Sequence, residues 1–152
     1  MKKIFLLFIL PLFLISACEE DEISESEQLK IDIKLIEKYL EENSLTAQST
    51  ESGLHYIIIE QGAGETATLE SIVDVNYTGM LLDGTIFDST RNSLVLEELI
   101  KGWQEGIPLI QKGGSIKLFI PSKLGYGDTA KDNIPKNSVL IFDIELLNVI
   151  PL

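Results

Sequence analysis

The chain is 152 residues long and 45% hydrophobic, with 24 acidic residues against 12 basic ones and a net charge of −12. Nothing in that balance supplies the basic stripe a nucleic-acid partner requires, and attachment to an anionic membrane by charge is equally disfavoured. Cys18 is the only cysteine, so a disulfide-built fold is excluded and the body of the chain holds no thiol for catalysis.

At the amino terminus, Lys2 and Lys3 precede an apolar run from Ile4 to Ile15, followed by Ser16-Ala17-Cys18. A basic start, a short apolar stretch and small residues describe a secretory signal, and the run is too short to span a bilayer comfortably. Ile15-Ser16-Ala17-Cys18 resembles a bacterial lipobox, in which the cysteine is lipidated and becomes the first residue of the mature protein. Residues 1–17 are therefore expected to be a lipoprotein signal peptide and Cys18 the lipidation site. That implies a bacterial cell-envelope protein anchored by lipid to a membrane, on the periplasmic or surface-exposed side of the outer membrane. Residues 18–26, with Glu19-Glu20-Asp21-Glu22 and Glu25, read as a solvated acidic tether. They equally resemble the surface-export signal of Bacteroidetes lipoproteins.

Residues 27–52 are predicted to be a helix and a linker. Leu29, Ile33, Ile36, Tyr39 and Leu40 have helical spacing from about Glu27 to Asn43, where Asn43 suits a left-handed cap. Ser44 to Ser52 is rich in Ser and Thr and reads as the linker. From Gly53 the pattern changes to strands. Leu54–Glu60 is β-branched, and Val73, Val75 and Tyr77 alternate with polar residues. Asp83-Gly84 is a hairpin signal before Thr85-Ile86-Phe87, Ser115–Ile120 alternates up to Pro121, and Val139–Val149 is a long apolar strand. Only Leu96 to Gln111 reads as helical here. A short helix against several antiparallel strands predicts an α+β domain over residues 53–152, enough for a single core.

Conventional catalytic equipment is sparse. His55, the only histidine, lies in an edge-like strand without a cysteine or acidic cluster at ligand spacing, so a structural role is favoured over a metal or base role. Gly62-Ala63-Gly64 lacks the third glycine and the following helix of a dinucleotide loop and reads as a turn. Gly113-Gly114 is likewise a turn. Ser89, Ser115 and Ser138 have no histidine partner within sequence reach. No cofactor and no metal site is expected. Trp103, the only tryptophan, sits between glycines in Gly102-Trp103-Gln104-Glu105-Gly106.

The order of the remaining aromatic and apolar blocks carries a resemblance. Val75-Asn76-Tyr77-Thr78-Gly79, Asp83-Gly84-Thr85-Ile86-Phe87-Asp88-Ser89, Leu99-Ile100-Lys101-Gly102-Trp103, Leu118-Phe119-Ile120-Pro121 with Tyr126-Gly127, and Ile134-Pro135 with Phe142-Asp143 resemble FKBP-type peptidyl-prolyl isomerases in the same order. The resemblance implies a bent antiparallel sheet wrapped around one short helix, preceded here by the N-terminal helix, with a proline pocket between sheet and helix. It implies Trp103 as pocket floor, with Tyr77, Phe87 and Phe142 as walls, Tyr126 from the loop above and Asp88 on the rim; these are the expected catalytic residues. Leu99, Ile100, Ile134 and Leu94 are the expected substrate-binding residues. In the family, the backbone N–H matching Ile100 and the hydroxyl matching Tyr126 contact the carbonyls of the bound peptide.

The activity implied is isomerisation of X–Pro bonds during folding of exported proteins. Expected partners are proline-containing polypeptides and macrolide inhibitors. A monomer is expected, because dimers of related exported isomerases use a long helical domain and this helix has only a few turns. Two segments depart from the family pattern. Leu94 stands where a pocket-edge phenylalanine is common, in a segment from Asp88 to Leu96 that reads as short, and Asp128–Asn133 replaces a glycine-rich stretch. Both predict a shallower pocket edge. The same residues also allow a proline-peptide binding or chaperone module with little isomerase activity.

Overall fold

Ser24 starts the first regular element of the computed structural model, which describes residues 23–151. The expected signal peptide, Cys18 and the acids Glu19–Glu22 lie outside the described residues. The Ser24 side chain accepts the Glu27 N–H at 3.3 Å, and acids Glu25 and Glu27 face the positive end of helix α1 (Glu25–Glu42). The helix thus begins two residues before the expected Glu27 and takes in the end of the predicted tether. At its other end the cap differs from expectation. Asn43 has φ −98°, and the left-handed residue is Ser44 at φ 54°. Asn43 instead uses its side-chain amide to donate to the Tyr39 carbonyl at 2.8 Å.

The predicted linker is also structured. Strand β1 (Gln48–Ser49) pairs with Tyr56 and His55, and the Ser52 hydroxyl donates to the Glu105 carboxylate at 2.8 Å. A two-residue strand has no alternation to read, so its Ser/Thr composition dominated the expectation.

Five further strands complete the sheet: β2 (His55–Glu60), β3 (Ile72–Leu81), β4 (Ile86–Val95), β5 (Ser115–Ile120) and β6 (Leu140–Ile150). Their order is β1-β2-β5-β6-β3-β4, and every pairing is antiparallel. His55 is therefore not at an edge. It lies between β1 and β5, buried, with Nδ1 2.9 Å from the Gly53 carbonyl oxygen. The segment after Asp88 differs too. It continues β4, paired with β3 as far as Ile72↔Val95. The polar run Thr90-Arg91-Asn92-Ser93 hides that strand because it is exposed and carries no apolar alternation.

Alternation along β5 divides the core between the two sheet faces. Ile116, Leu118 and Ile120 join Trp103, Val75, Phe142 and Ile144 on one face. Phe119, with Ile141 and Val139, meets Ile36 and Leu40 of α1 on the other. Each fully buried Leu or Ile contributes about 1.5–3 kcal/mol of transfer free energy, so α1 is fixed to the sheet by its Ile36 and Leu40 stripe.

The expected helix over Leu96–Gln111 is broken into three pieces. A 3₁₀ turn (Leu96–Glu98) and another (Ile107–Leu109) flank helix α2 (Lys101–Gly106). Leu99 and Ile100 are extended, with ψ 172° and 149°, and Pro108 tightens the second turn. Gly102 and Gly106, one helical turn apart, face β5. A Cβ on either would come within 2.6 Å of the Ile120 or Leu118 side chain. Lacking those methyls, α2 lies with its backbone directly against the sheet.

Candidate active site

The close approach of α2 sets the depth of Trp103, which is 4% exposed. Two rings meet its indole at nearly right angles: Tyr77 at a centroid distance of 4.9 Å and Phe142 at 5.1 Å. Phe87 meets Phe142 in the same manner at 5.5 Å. Edge-to-face aromatic pairs contribute about 0.5–1.5 kcal/mol each beyond the area they bury.

Sheet register explains how these rings converge. Tyr77 lies on β3 beside β6, which carries Phe142 opposite Gly79. Between β3 and β4 the register passes from Gly79↔Asp88 to Met80↔Ile86, so Phe87 is the extra residue of a bulge. A bulge re-aims its side chain, here toward the space above Gly79. A Cβ at Gly79 would lie 2.6 Å from the Phe87 ring and 2.7 Å from that of Phe142.

These residues enclose a cavity of about 540 Å³. Trp103, Tyr77, Phe87 and Phe142 line it, with Leu94 from β4 and Leu99 and Ile100 from the approach to α2. Tyr126 and Ile134 enter from the long loop between β5 and β6, and Asp88 completes the set expected from sequence. Glu98, Lys131, Asp132 and Asn133 also line the cavity; the last three belong to the segment expected at the pocket edge, but none of the four was expected as a site residue. Lys131 places its ammonium 4.7 Å from the centre of the Tyr126 ring, a cation–π arrangement. A tight turn carries it there. The Lys131 N–H donates to the Ile134 carbonyl at 2.9 Å, the Ile134 N–H returns the bond at 2.7 Å, and Asp132 has φ 47°. The Asp132-Asn133 pair, a good turn former, was the available signal.

The polar groups around the cavity are differently committed. The Tyr77 hydroxyl donates to Asp88 Oδ2 at 2.5 Å. The Ile100 N–H makes no backbone hydrogen bond among the described residues, although its carbonyl accepts from Trp103 and Gln104. The Gln104 side chain braces that segment by donating to the Glu97 and Leu99 carbonyls at 2.9 and 2.7 Å. Among the described residues, Nε1 of Trp103 is the one buried side-chain polar atom without a partner. No group of three or more His, Cys, Asp or Glu among the described residues is placed to hold a metal.

Burial, and then the Asp88 carboxylate, push the Tyr77 phenol well above the ordinary tyrosine range. The folded state therefore favours the protonated phenol. Its contribution to stability is complete below about pH 10, the unfolded value, and is lost as pH rises from there toward the folded value. Tyr77→Phe is expected to flatten the alkaline fall in stability, read as the difference between denaturation midpoints at about pH 9 and about pH 11. An equally steep fall in the variant would show that Tyr77 is not the group responsible.

A box of aromatic rings with a backbone N–H at its side defines the class of site: an aromatic-floored cavity with a hydrogen-bond donor at its wall. Comparison with known proteins gives that class its family. A family model described as FKBP-type peptidyl-prolyl cis-trans isomerase matches residues 63–147. The chain is 45% identical over 136 residues to FkpA, an FKBP-type peptidyl-prolyl cis-trans isomerase of Buchnera aphidicola, covering 86% of this chain and 53% of that protein. The crystal structure of FkpA from Escherichia coli superposes with a TM-score of 0.73 at 38% identity, over 84% of this chain and 62% of that one. A peptidyl-prolyl cis-trans isomerase structure from Pseudomonas syringae gives a TM-score of 0.69 at 27% identity, over 80% of this chain and 95% of that one. The chain belongs to the FKBP-type peptidyl-prolyl cis-trans isomerase family. It spans about half the length of the curated relatives it matches.

Proposed function

We propose that this protein is a peptidyl-prolyl cis-trans isomerase acting on exported polypeptides, and that Cys18 tethers it by lipid to a membrane of the bacterial envelope. The observation that carries the activity is the aromatic box: Tyr77, Phe87 and Phe142 around Trp103, in a cavity of about 540 Å³. The space between the four rings takes a pyrrolidine ring on this reading, and the rest of the cavity takes the flanking peptide. The Ile100 N–H and the Tyr126 hydroxyl then hold the peptide carbonyls on either side of the ring.

Such a pocket needs no nucleophile. Amide resonance opposes rotation by about 18–20 kcal/mol, and X–Pro bonds exchange over tens to hundreds of seconds. At the twisted transition state the resonance is broken and charge on the carbonyl oxygen falls. The aromatic floor of the cavity, where the four rings meet, disfavours the planar, more polar amide relative to that state. Holding the ring and its flanking carbonyls selects twisted conformers, so the binding is stronger where the barrier lies. FKBP-binding macrolides would compete for the same space.

The test is a proline-limited refolding assay with the purified protein. Acceleration by the wild type, reduced about tenfold or more in Phe87→Ala, is the expected result. A folded wild type that binds proline peptides without accelerating their isomerisation would leave a binding or chaperone module instead. The anchor is tested separately. Cys18→Ser is expected to move the protein from the membrane fraction to the soluble fraction, and an unchanged membrane fraction would remove the lipid from the proposal.

A further inference from the structure

Asp32 is a charged residue on the buried side of α1, 0% exposed. It forms no ion pair among the described residues; hydrogen-bond donors satisfy it instead. Oδ2 accepts the Ser122 N–H at 2.7 Å and the Ser122 hydroxyl at 2.6 Å, while Oδ1 accepts the Gln28 amide at 2.7 Å. Ser122 opens the 3₁₀ turn Ser122–Leu124 that follows β5. Its carbonyl accepts the N–H groups of Gly125 at 2.9 Å and Gly127 at 2.8 Å, the two neighbours of Tyr126. The Gly127 carbonyl in turn accepts the Asn137 N–H at 2.7 Å, closing the loop that bears Ile134. Both donors of Ser122 are thus taken by α1, and its carbonyl by the amides that frame Tyr126.

We propose that Asp32 is a positioning residue for the cavity, holding Tyr126 in place through Ser122 from a helix on the opposite face of the sheet. The proposal rests on the reading of the cavity as a proline site, with Tyr126 as one of its ligand contacts. Hydrophobic packing of Ile36 and Leu40 fixes α1 to the sheet, but packing alone is tolerant of small slides. Two short bonds from one carboxylate oxygen fix both the distance and the direction of the turn. The exposed Lys123–Glu25 pair nearby, at 3.8 Å, adds little.

Amide hydrogen exchange and isomerisation kinetics on the intact protein decide the matter. In Asp32→Ala the Gly125 and Gly127 amides are expected to exchange about tenfold faster or more, while the Glu105 and Gly106 amides of α2 keep their wild-type rates. Catalytic efficiency is expected to fall about three- to tenfold, and Asp32→Asn, which keeps an acceptor, to restore part of it. In a Tyr126→Phe background Asp32→Ala is expected to add no further loss, because both changes act through the same hydroxyl. If Asp32→Ala does not fold, Ser122→Ala carries the same readout with the N–H bond retained. Unchanged exchange at Gly125 and Gly127, loosening spread evenly through α2 and the sheet, or full additivity with Tyr126→Phe would each overturn the proposal. A wild type inactive toward proline peptides would overturn the isomerase reading alone, since the exchange measurement needs no activity.

Discussion

Trp103→Ala is expected to lower stability by about 3–5 kcal/mol, the range for removing a buried aromatic side chain, and to remove most of the activity. The indole is 4% exposed and meets two rings at nearly right angles, so its loss opens a hole beneath Tyr77 and Phe142 that the sheet cannot close. Contact between the indole and a proline ring is worth roughly 2–3 kcal/mol, taking three ring methylenes at about 0.8 each. Losing it corresponds to roughly 30–150-fold in kcat/KM. Trp103→Leu separates the two effects: leucine refills part of the volume, so stability recovers more than activity. Denaturant titration gives the first quantity, and an isomerisation assay under fully folded conditions gives the second. A Trp103→Leu variant as active as the wild type would show that the indole is core packing and nothing more.

Gly62→Ala is the second large effect, and it lies away from the cavity. Gly62 has φ +76°, and a Cβ there would press on the Gln111 carbonyl and lie 2.6 Å from the Gly114 nitrogen and 2.7 Å from the Lys112 carbonyl. All three are backbone atoms, so no side-chain rotation relieves the contact. They belong to a junction in which the Gln111 N–H donates to the Gln61 carbonyl at 2.9 Å and the Ala63 N–H to that of Lys112 at 3.1 Å. A left-handed conformation costs a non-glycine residue about 1–2 kcal/mol, and overpacking adds about 1–3. The sum lowers the melting temperature by roughly 10 °C or more in a domain of this size. Gly84→Ala is the internal control. It has φ +85° but nothing within 4 Å, so only the conformational term applies. If the two variants melt together, the steric account of Gly62 is wrong.

Elements with strong local patterning were legible in the sequence. The alternation of β3 and β5, the Asp83-Gly84 hairpin and the apolar stripe of α1 each state their own structure. The cavity rings could be named because they stand in ordered blocks that resemble a known family. What escaped notice depends on partners far along the chain. Strand β1 exists because β2 offers it a free edge, and the polar end of β4 because β3 pairs with it. Lys131 and Asp132 reach the cavity through a turn whose course no periodicity marks. Asp32 did leave a signal: an acid four residues before Ile36, on the stripe that also holds Leu29 and Ile33. A charge on a buried stripe needs a partner, and that partner lies 90 residues away.

The solitary tryptophan between its glycines has one further consequence, for how this molecule is observed. With one Trp in the whole chain, all indole emission comes from the bottom of one cavity. Anything that seats itself there alters the quantum yield of that ring while it stays shielded from water. Unfolding exposes the same ring and shifts its emission to the red. The two events therefore differ in the observable they move, intensity against wavelength, and occupancy can be followed by ultraviolet light without any added dye.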